Sequence, residues 1–251
     1  MQDKIALVTG GSRGLGKSSA LALAHKDVDV IVTYNSRKER ADTVVKEIEE
    51  NGRKAIALQL DVSNVSSHDE FLSLLSDTLK EKWNRNTFDF LINNAGFAHY
   101  APFGETTEEQ FDSMMNVHFK GVYFLSQKLV PHLADNGRII NFSSGLARFT
   151  TQGWSAYASM KGAIEVMTRY MAKELGPRRI RVNTVAPGII DTDFHHGTFD
   201  TPEIKAKVGT QTALGKIGEP DDIGGIVAFL CTDEAGWITG QRIEASGGMF
   251  L

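Results

Sequence analysis

Cysteine is nearly missing from this chain. Cys231 is the one thiol in 251 residues, so no internal disulfide can staple the fold. A lone cysteine reads as a small buried apolar residue. No apolar run approaches the roughly 20 residues of a membrane-spanning helix. Neither sign of charge dominates: 27 Lys and Arg stand against 31 Asp and Glu, a net charge of −4, with no basic stripe. That balance argues against a nucleic-acid partner. The chain starts almost directly on its first apolar run, leaving no room for a signal peptide, and the expectation is a soluble cytoplasmic protein. Repeats, low-complexity linkers and breaks in composition are absent too, so residues 1–251 are expected to form one domain.

What is present is a regular alternation. Ile5–Val8, Val28–Thr33, Lys54–Leu60 and Phe88–Ile92 are short apolar runs, and Lys17–His25, Glu39–Asn51 and His68–Trp83 read as the helices between them. Gly52 supplies a C-terminal stop for the second helix. A long helix over Thr107–His132, a strand at Arg138–Phe142, a helix over Trp154–Leu175 and a strand at Ile180–Val185 continue the pattern. Asp221–Cys231 and Gln241–Ala245 close it with a last helix and a seventh strand. Such β-α-β spacing predicts a doubly wound α/β fold, a seven-stranded parallel sheet with helices on both faces. Residues 189–215, polar and aromatic with weak periodicity, suggest a mobile lid.

Lys4–Ser19, KIALVTGGSRGLGKSS, reads as strand, glycine turn and helix, which is a phosphate site built from backbone N–H groups. Its spacing fits two incompatible sites. Gly11 to Ser18 satisfies G-x-x-x-x-G-K-[ST], a triphosphate P-loop, with Asp61 available as a magnesium-holding acid. The same residues read Thr9-Gly10-x-x-x-Gly14-x-Gly16, a dinucleotide turn.

Ligands of open α/β sheets sit outside the carboxyl ends of the strands. Asp61, Asn93-Asn94-Ala95-Gly96, Ser144 and Pro187-Gly188 all fall there. Tyr157 and Lys161, four apart, share a helix face with Cβ atoms about 6 Å apart. A phenol with an ordinary pKa near 10 needs a nearby cation to exchange protons at neutral pH, and an ammonium one turn away supplies it. Ser144 can hydrogen-bond the oxygen that Tyr157 protonates. Asn116, a poor helix former inside the long helix, can tie water to Lys161. Adjacent His195-His196 face apart on regular backbone and have no third ligand, so no metal is expected. His99, His118 and His132 have no partner pattern either. Phe97, Leu146, Phe149, Trp154 and Phe194 are candidates for an apolar substrate wall, Trp154 the best of them.

Taken together and in this order, these motifs, down to the closing Gly247-Gly248, resemble the short-chain dehydrogenase/reductase family, its 3-oxoacyl reductase branch included. The resemblance implies a Rossmann-type fold and a catalytic tetrad of Asn116, Ser144, Tyr157 and Lys161. It implies that Lys161 also bonds the nicotinamide ribose and that Thr192 holds the carboxamide. The implied cofactor contacts run through Gly10, Ser12, Arg13, Gly14, Leu15 and Gly16, then Asn35, Ser36 and Arg37. Asp61 and Val62 flank the adenine, Asn94, Ala95 and Gly96 line the cofactor, and Pro187, Gly188 and Ile190 complete the set. On this reading Lys17 and Ser18 belong to the first helix and the P-loop match is coincidence. A nucleotide kinase or triphosphatase is the runner-up, and a non-catalytic dinucleotide sensor is a third reading.

NAD-users place an acid about 20 residues beyond the glycine turn, against the ribose 2′-hydroxyl. Here Thr33-Tyr34-Asn35-Ser36-Arg37 carries none, while Arg13 and Arg37 can clamp a 2′-phosphate. NADP(H) is therefore expected over NAD(H), with reduction the usual direction. The resemblance also implies pairing through the two long helices and through Ile243–Leu251, hence a homotetramer. Reductases of 3-oxoacyl groups on acyl carrier protein tend to carry basic residues before strand five. Here Leu133-Ala134-Asp135-Asn136-Gly137-Arg138 places an acid there, with Arg178-Arg179 as half of a basic patch. A free ketone or aldehyde is expected over a carrier-bound acyl chain.

Overall fold

A computed structural model of the chain describes residues 3–195 and 201–251. Its strands are β1 (Lys4–Val8), β2 (Val28–Tyr34), β3 (Ala55–Gln59), β4 (Phe88–Asn93), β5 (Leu133–Phe142), β6 (Arg181–Pro187) and β7 (Arg242–Ala245). All pair in parallel, in the order β3-β2-β1-β4-β5-β6-β7. The helices are α1 (Gly14–Ala24), α2 (Lys38–Glu50), α3 (His68–Trp83), α4 (Glu108–Met115), α5 (Val122–Leu129), α6 (Ser155–Leu175), α7 (Pro202–Gly209) and α8 (Pro220–Leu230).

The central strands are apolar almost throughout because both sheet faces are covered. Side chains alternate between those faces with a period of two. Ala6, Val8, Val30, Val32 and Ile92 point into one core with Leu23, Ile48 and Val227 of α1, α2 and α8. Ile5, Leu7, Ile31 and Leu91 point into the other, with Leu75, Leu125 and Ala172 of α3, α5 and α6. Two acids are buried inside strands and fully answered. Asp29 accepts from Arg53, from the Lys54 amide and from Trp83 Nε1 at 2.7 Å. Asp89 accepts from Lys4, Arg85 and the Ile5 amide.

The structure departs from the sequence expectations in three places. The helix expected over Thr107–His132 is interrupted by a π turn, Asn116–Gly121, and ends in a 3-10 turn, Val130–His132. At Gly121 a Cβ would lie 2.1 Å from the Val62 carbonyl oxygen. The π turn thus brings the helix onto the backbone just after β3, an approach only glycine allows. Strand five begins at Leu133, five residues before the expected Arg138, with a register irregularity against β4 between Phe88 and Phe90. Within 189–215, the expected lid, lie a 3-10 turn at Asp193–His195 and the helix α7, capped by Thr201. Its weak apolar periodicity hid that helix; residues 196–200 of the expected lid lie outside the described residues.

β1 is followed in space by β2 on one side and β4 on the other, so the chain winds away in both directions from this pair. The crevice that such a reversal opens at the carboxyl ends is where an elongated ligand fits. Among the described residues no helix is long and apolar enough to cross a membrane.

Candidate active site

A cleft of about 970 Å³ runs along those carboxyl ends. One half is the glycine turn. Gly10 takes φ +62°, and a Cβ on Gly16 would lie 2.3 Å from the Gly10 carbonyl oxygen and 2.4 Å from Asn94 Nδ2. The turn is tied to the end of β4: Thr9 Oγ1 accepts from the Asn94 and Ala95 amides, both at 3.0 Å. Asn94 Nδ2 donates to the Thr9 and Gly10 carbonyls at 2.9 and 3.1 Å. Helix α1 opens at Gly14 with no capping side chain and no acid in its first turn. Its amide N–H groups are left to an anion from outside.

Lys17 and Ser18, on which the P-loop reading depends, do not face this cleft. Lys17 Nζ bonds Glu47 of α2 at 2.7 Å. The Ser18 hydroxyl is buried against α8, donating to the Pro220 carbonyl and Asp221. The triphosphate reading fails on both residues.

The expected cofactor residues Gly10, Ser12, Arg13, Gly14, Leu15, Gly16, Asn35, Ser36, Arg37, Asp61, Val62, Asn94, Ala95, Gly96, Pro187, Gly188, Ile190 and Thr192 all line the cleft. So do Ser144, Tyr157 and Lys161. Asn116 is not in its lining. It opens the π turn, and Val117 and His118 beside it reach the cleft instead. Tyr34, Arg40, Tyr100, Ser143, Thr151, Asp193, Gln211 and Met249 also line the cleft, unforeseen from sequence. Arg40 was the findable one, a cation three residues beyond Arg37 and so on nearly the same face of α2.

Tyr157 and Lys161 are only 7% and 5% exposed. Lys161 Nζ donates to the Phe142 carbonyl at 2.9 Å and stands 5.5 Å from the Tyr157 ring centre. Ser144, in extended backbone just past β5, accepts the Leu146 amide on its Oγ at 3.2 Å and has its side chain beside the Tyr157 hydroxyl. Burial dominates both titrations. It pushes the Tyr157 phenol well up, with the Ser144 side chain opposing it, and it pushes the Lys161 ammonium down to about 7. The sequence expected Lys161 to lower the tyrosine pKa; burial raises it instead.

His118, to which the sequence assigned no role, is buried beside Tyr157, ring centres 5.2 Å apart. Its Nε2 lies 2.7 Å from the Phe97 carbonyl oxygen, which selects the Nε2–H tautomer as donor. Burial and the Lys161 charge hold it well below the usual histidine pKa, so it is neutral. Trp154 and Phe194 stand edge-on or tilted to Tyr157, each with ring centres 5.9 Å away, and Tyr100 stacks edgewise on Trp154. Phe97, Leu146, Phe149 and Met249 complete an apolar end to the cleft. All five residues of the expected wall, Phe97, Leu146, Phe149, Trp154 and Phe194, line the cleft. No group of three His, Cys, Asp or Glu among the described residues could hold a metal. His196 lies outside the described residues.

A family model described as enoyl-(acyl carrier protein) reductase matches residues 10–250. The 3-oxoacyl-[acyl-carrier-protein] reductase of Staphylococcus aureus is 37% identical over 250 residues, 99% of this chain and 98% of that protein. The chain belongs to the short-chain dehydrogenase/reductase family. Solved reductases share its fold. One, a promiscuous reductase catalysing keto-reduction at C1 during lugdunomycin biosynthesis, is 40% identical, with a TM-score of 0.95 over 100% of this chain and 99% of the other. Another, an angucycline C-6 ketoreductase with bound NADP, is 37% identical, with a TM-score of 0.93 over 98% and 95% of the two chains. This short-chain reductase is thus an oxidoreductase with one cleft joining a dinucleotide cradle to a buried Ser144-Tyr157-Lys161 group.

The buried lysine leaves a mark on stability. The folded reductase releases the Lys161 proton near pH 7 and the unfolded chain only near the ordinary 10.5. Between these values the unfolded state holds more protons, so this group makes stability rise with pH. In urea unfolding without added dinucleotide, Lys161→Met should remove that upward contribution between about pH 7 and 10. An unchanged slope would show that Lys161 titrates normally.

Proposed function

We propose that this reductase uses NADP(H) to reduce a free, hydrophobic ketone or aldehyde, with Tyr157 as the general acid. The observation that carries this is the placing of Tyr157. Its hydroxyl meets Ser144, its ring meets Trp154, Phe194 and His118, and Lys161 lies behind it, all in the cleft that holds the glycine cradle.

The residues present fit a dinucleotide with a 2′-phosphate. The Gly10–Gly16 turn, closed to a Cβ at Gly10 and at Gly16, and the uncapped start of α1 would hold a pyrophosphate. Arg13 and Arg37 line the cleft beyond it, and no acid stands at the end of β2 to repel added charge. The bound NADP in the angucycline ketoreductase supports the same choice. When bound, the nicotinamide supplies or accepts hydride. The protein does the rest. Ser144 donates to the substrate oxygen, and Tyr157, neutral because it is buried, gives that oxygen its proton. Lys161, one turn on, bonds the ribose and stabilises the phenolate that proton transfer leaves. Asn116 enters as proton relay on the family resemblance alone. At neutral pH the phenol carries its proton, as the donor in a carbonyl reduction must.

The substrate end is aromatic, and among the described residues lining it Lys161 is the only cation, which leaves little to seat an acidic carrier. Arg148, at its edge, is held by both carboxylate oxygens of Glu244 at 2.6 Å. Arg178 is engaged by Asp135 at 2.8 Å and by the Val130 and Leu133 carbonyls. These lie at the amino end of β5, opposite the end that forms the cleft. A planar aromatic ketone suits the walls better, by stacking and by excluding water.

With NADPH and a panel of ketones assayed beside 3-oxoacyl carrier protein, free aromatic ketones should turn over best. Tyr157→Phe should lower kcat at least ~100-fold and leave dinucleotide affinity within about twofold. Wild-type rates in that variant would refute the acid; salt-sensitive turnover of the carrier-bound substrate alone would refute the substrate class.

Arg13→Ala and Arg37→Ala should each weaken NADPH roughly tenfold and barely change NADH. Equal affinity of the wild type for both dinucleotides would remove the cofactor assignment.

We also propose a homotetramer, and a cytoplasmic location, for this protein. Tyr123 and Phe124 on α5, Val166 and Tyr170 on α6, and Trp237, Phe250 and Leu251 near the last strand are all exposed apolar residues. They fall on the two surfaces through which the family resemblance implies pairing. Light scattering at micromolar concentration should give four times the chain mass, and a monomer would end the proposal.

A further inference from the structure

Asp193, at the start of the lid, reaches back to the far end of the cleft. Its Oδ2 lies 3.1 Å from Arg40 Nη1, within hydrogen-bonding distance, and 3.7 Å from Arg13 Nη1. All three residues line the cleft. One carboxylate oxygen between two guanidinium groups, from the glycine turn and from α2, marks an anion seat. Its occupant belongs to the protein.

We infer that Asp193 competes with the 2′-phosphate for Arg13 and Arg40, so that Arg40 and Asp193 set the preference for NADP(H) in opposite directions. The inference rests on the NADP(H) reading above and adds two residues to it. A guanidinium fork suits phosphate oxygens as it suits a carboxylate, and an oxygen that shares its N–H groups must be displaced or crowded. Whatever position the carboxylate takes on displacement, the chain holds it near. Thr192 packs against Gly14, with its Cβ 3.7 Å from where a Gly14 Cβ would lie. Asp191 pairs with Lys205 of α7, and its amide donates to the Gly218 carbonyl at 2.8 Å. The lid backbone is therefore held at the two residues just before Asp193, which keeps its charge beside the glycine turn.

Between charges about 4 Å apart, the interaction changes an affinity about fivefold per charge pair even in water. A phosphate carries up to about two charges, so removing the carboxylate should be felt several-fold. The effect should fall on the 2′-phosphate alone, because the glycine turn and the start of α1, not Arg40 and Asp193, would hold the other phosphate.

The test measures ligand fragments rather than turnover. Calorimetric titration compares adenosine 2′,5′-bisphosphate with adenosine 5′-monophosphate on the wild type, Asp193→Asn and Arg40→Gln. The wild type should prefer the bisphosphate. Asp193→Asn should bind it about three- to tenfold more tightly, leaving the monophosphate within about twofold, and the gain should shrink as salt is raised. Arg40→Gln should weaken the bisphosphate roughly fivefold and leave the monophosphate alone. No gain in Asp193→Asn, or an equal gain for both ligands, overturns the competition while the NADP(H) reading stands. A wild type that does not distinguish the fragments overturns both.

Discussion

The site depends on one knot of hydrogen bonds where the sheet changes its winding direction. Thr9 and Asn94 end the neighbouring strands β1 and β4, and each satisfies the other's backbone. Without that exchange the Thr9 and Gly10 carbonyls and the Ala95 amide would be left unanswered inside a narrow crevice, each at a cost of about 1–3 kcal/mol. With it, Gly16 is pressed so close under Gly10 that no side chain fits. The cradle is therefore rigid before any ligand arrives. A second layer below it repeats the device: Asn93 donates to Ser126 and Asn141, and Asn141 to Thr168, joining β4 and β5 to α5 and α6. Helix α6 carries Tyr157 and Lys161, so the layer under the cradle also sets the height of this pair.

Much of this was legible in the chain. The apolar runs of β1, β2 and β4 are unbroken enough to read as strands covered on both faces, and α3 fell on His68–Trp83 as expected. Tyr157 and Lys161 were legible because a fixed helical spacing converts sequence distance into spatial distance. The misses share a cause. The π turn at Asn116–Gly121 changes no apolar periodicity strongly enough to show, and its reason, a carbonyl after β3 pressing on Gly121, is a tertiary contact. Asp29 and Asp89 sit inside strands where an acid is unfavourable until Arg53, Trp83, Lys4 and Arg85 arrive from elsewhere. Arg40 and Asp193 are 153 residues apart, and no local rule joins them.

Electrostatics shows the same division. From spacing alone, an ammonium beside a phenol should ease its ionisation. The fold buries both groups, and burial opposes charge on either one. The pair is then neutral tyrosine and a lysine balanced near neutrality, an arrangement that holds a proton ready and stabilises its loss only once the transfer has begun. His118 reinforces this. It is kept neutral against the Tyr157 ring and is bound to the Phe97 carbonyl, so it adds shape to the wall without adding a second charge.

A cleft with cations at one end and aromatic rings at the other divides its tasks by solvent exposure. Arg13 and Arg40 are about two-fifths exposed, where charge is cheap to hold and easily exchanged between partners. Tyr157 and Lys161 are buried, where each charge is costly and each hydrogen bond strong. Affinity can therefore be tuned at the exposed end, by a carboxylate on the lid, with little disturbance of the proton donor. The connection between the ends is the short segment from Thr192 to Phe194. Thr192 touches the glycine turn, Asp193 touches the arginines and Phe194 touches the Tyr157 ring. A ligand that moves Asp193 must also act on the residue beside it, which forms the wall of the substrate end. A dinucleotide in the cradle and a molecule at the aromatic end would thus meet the same three residues from opposite sides.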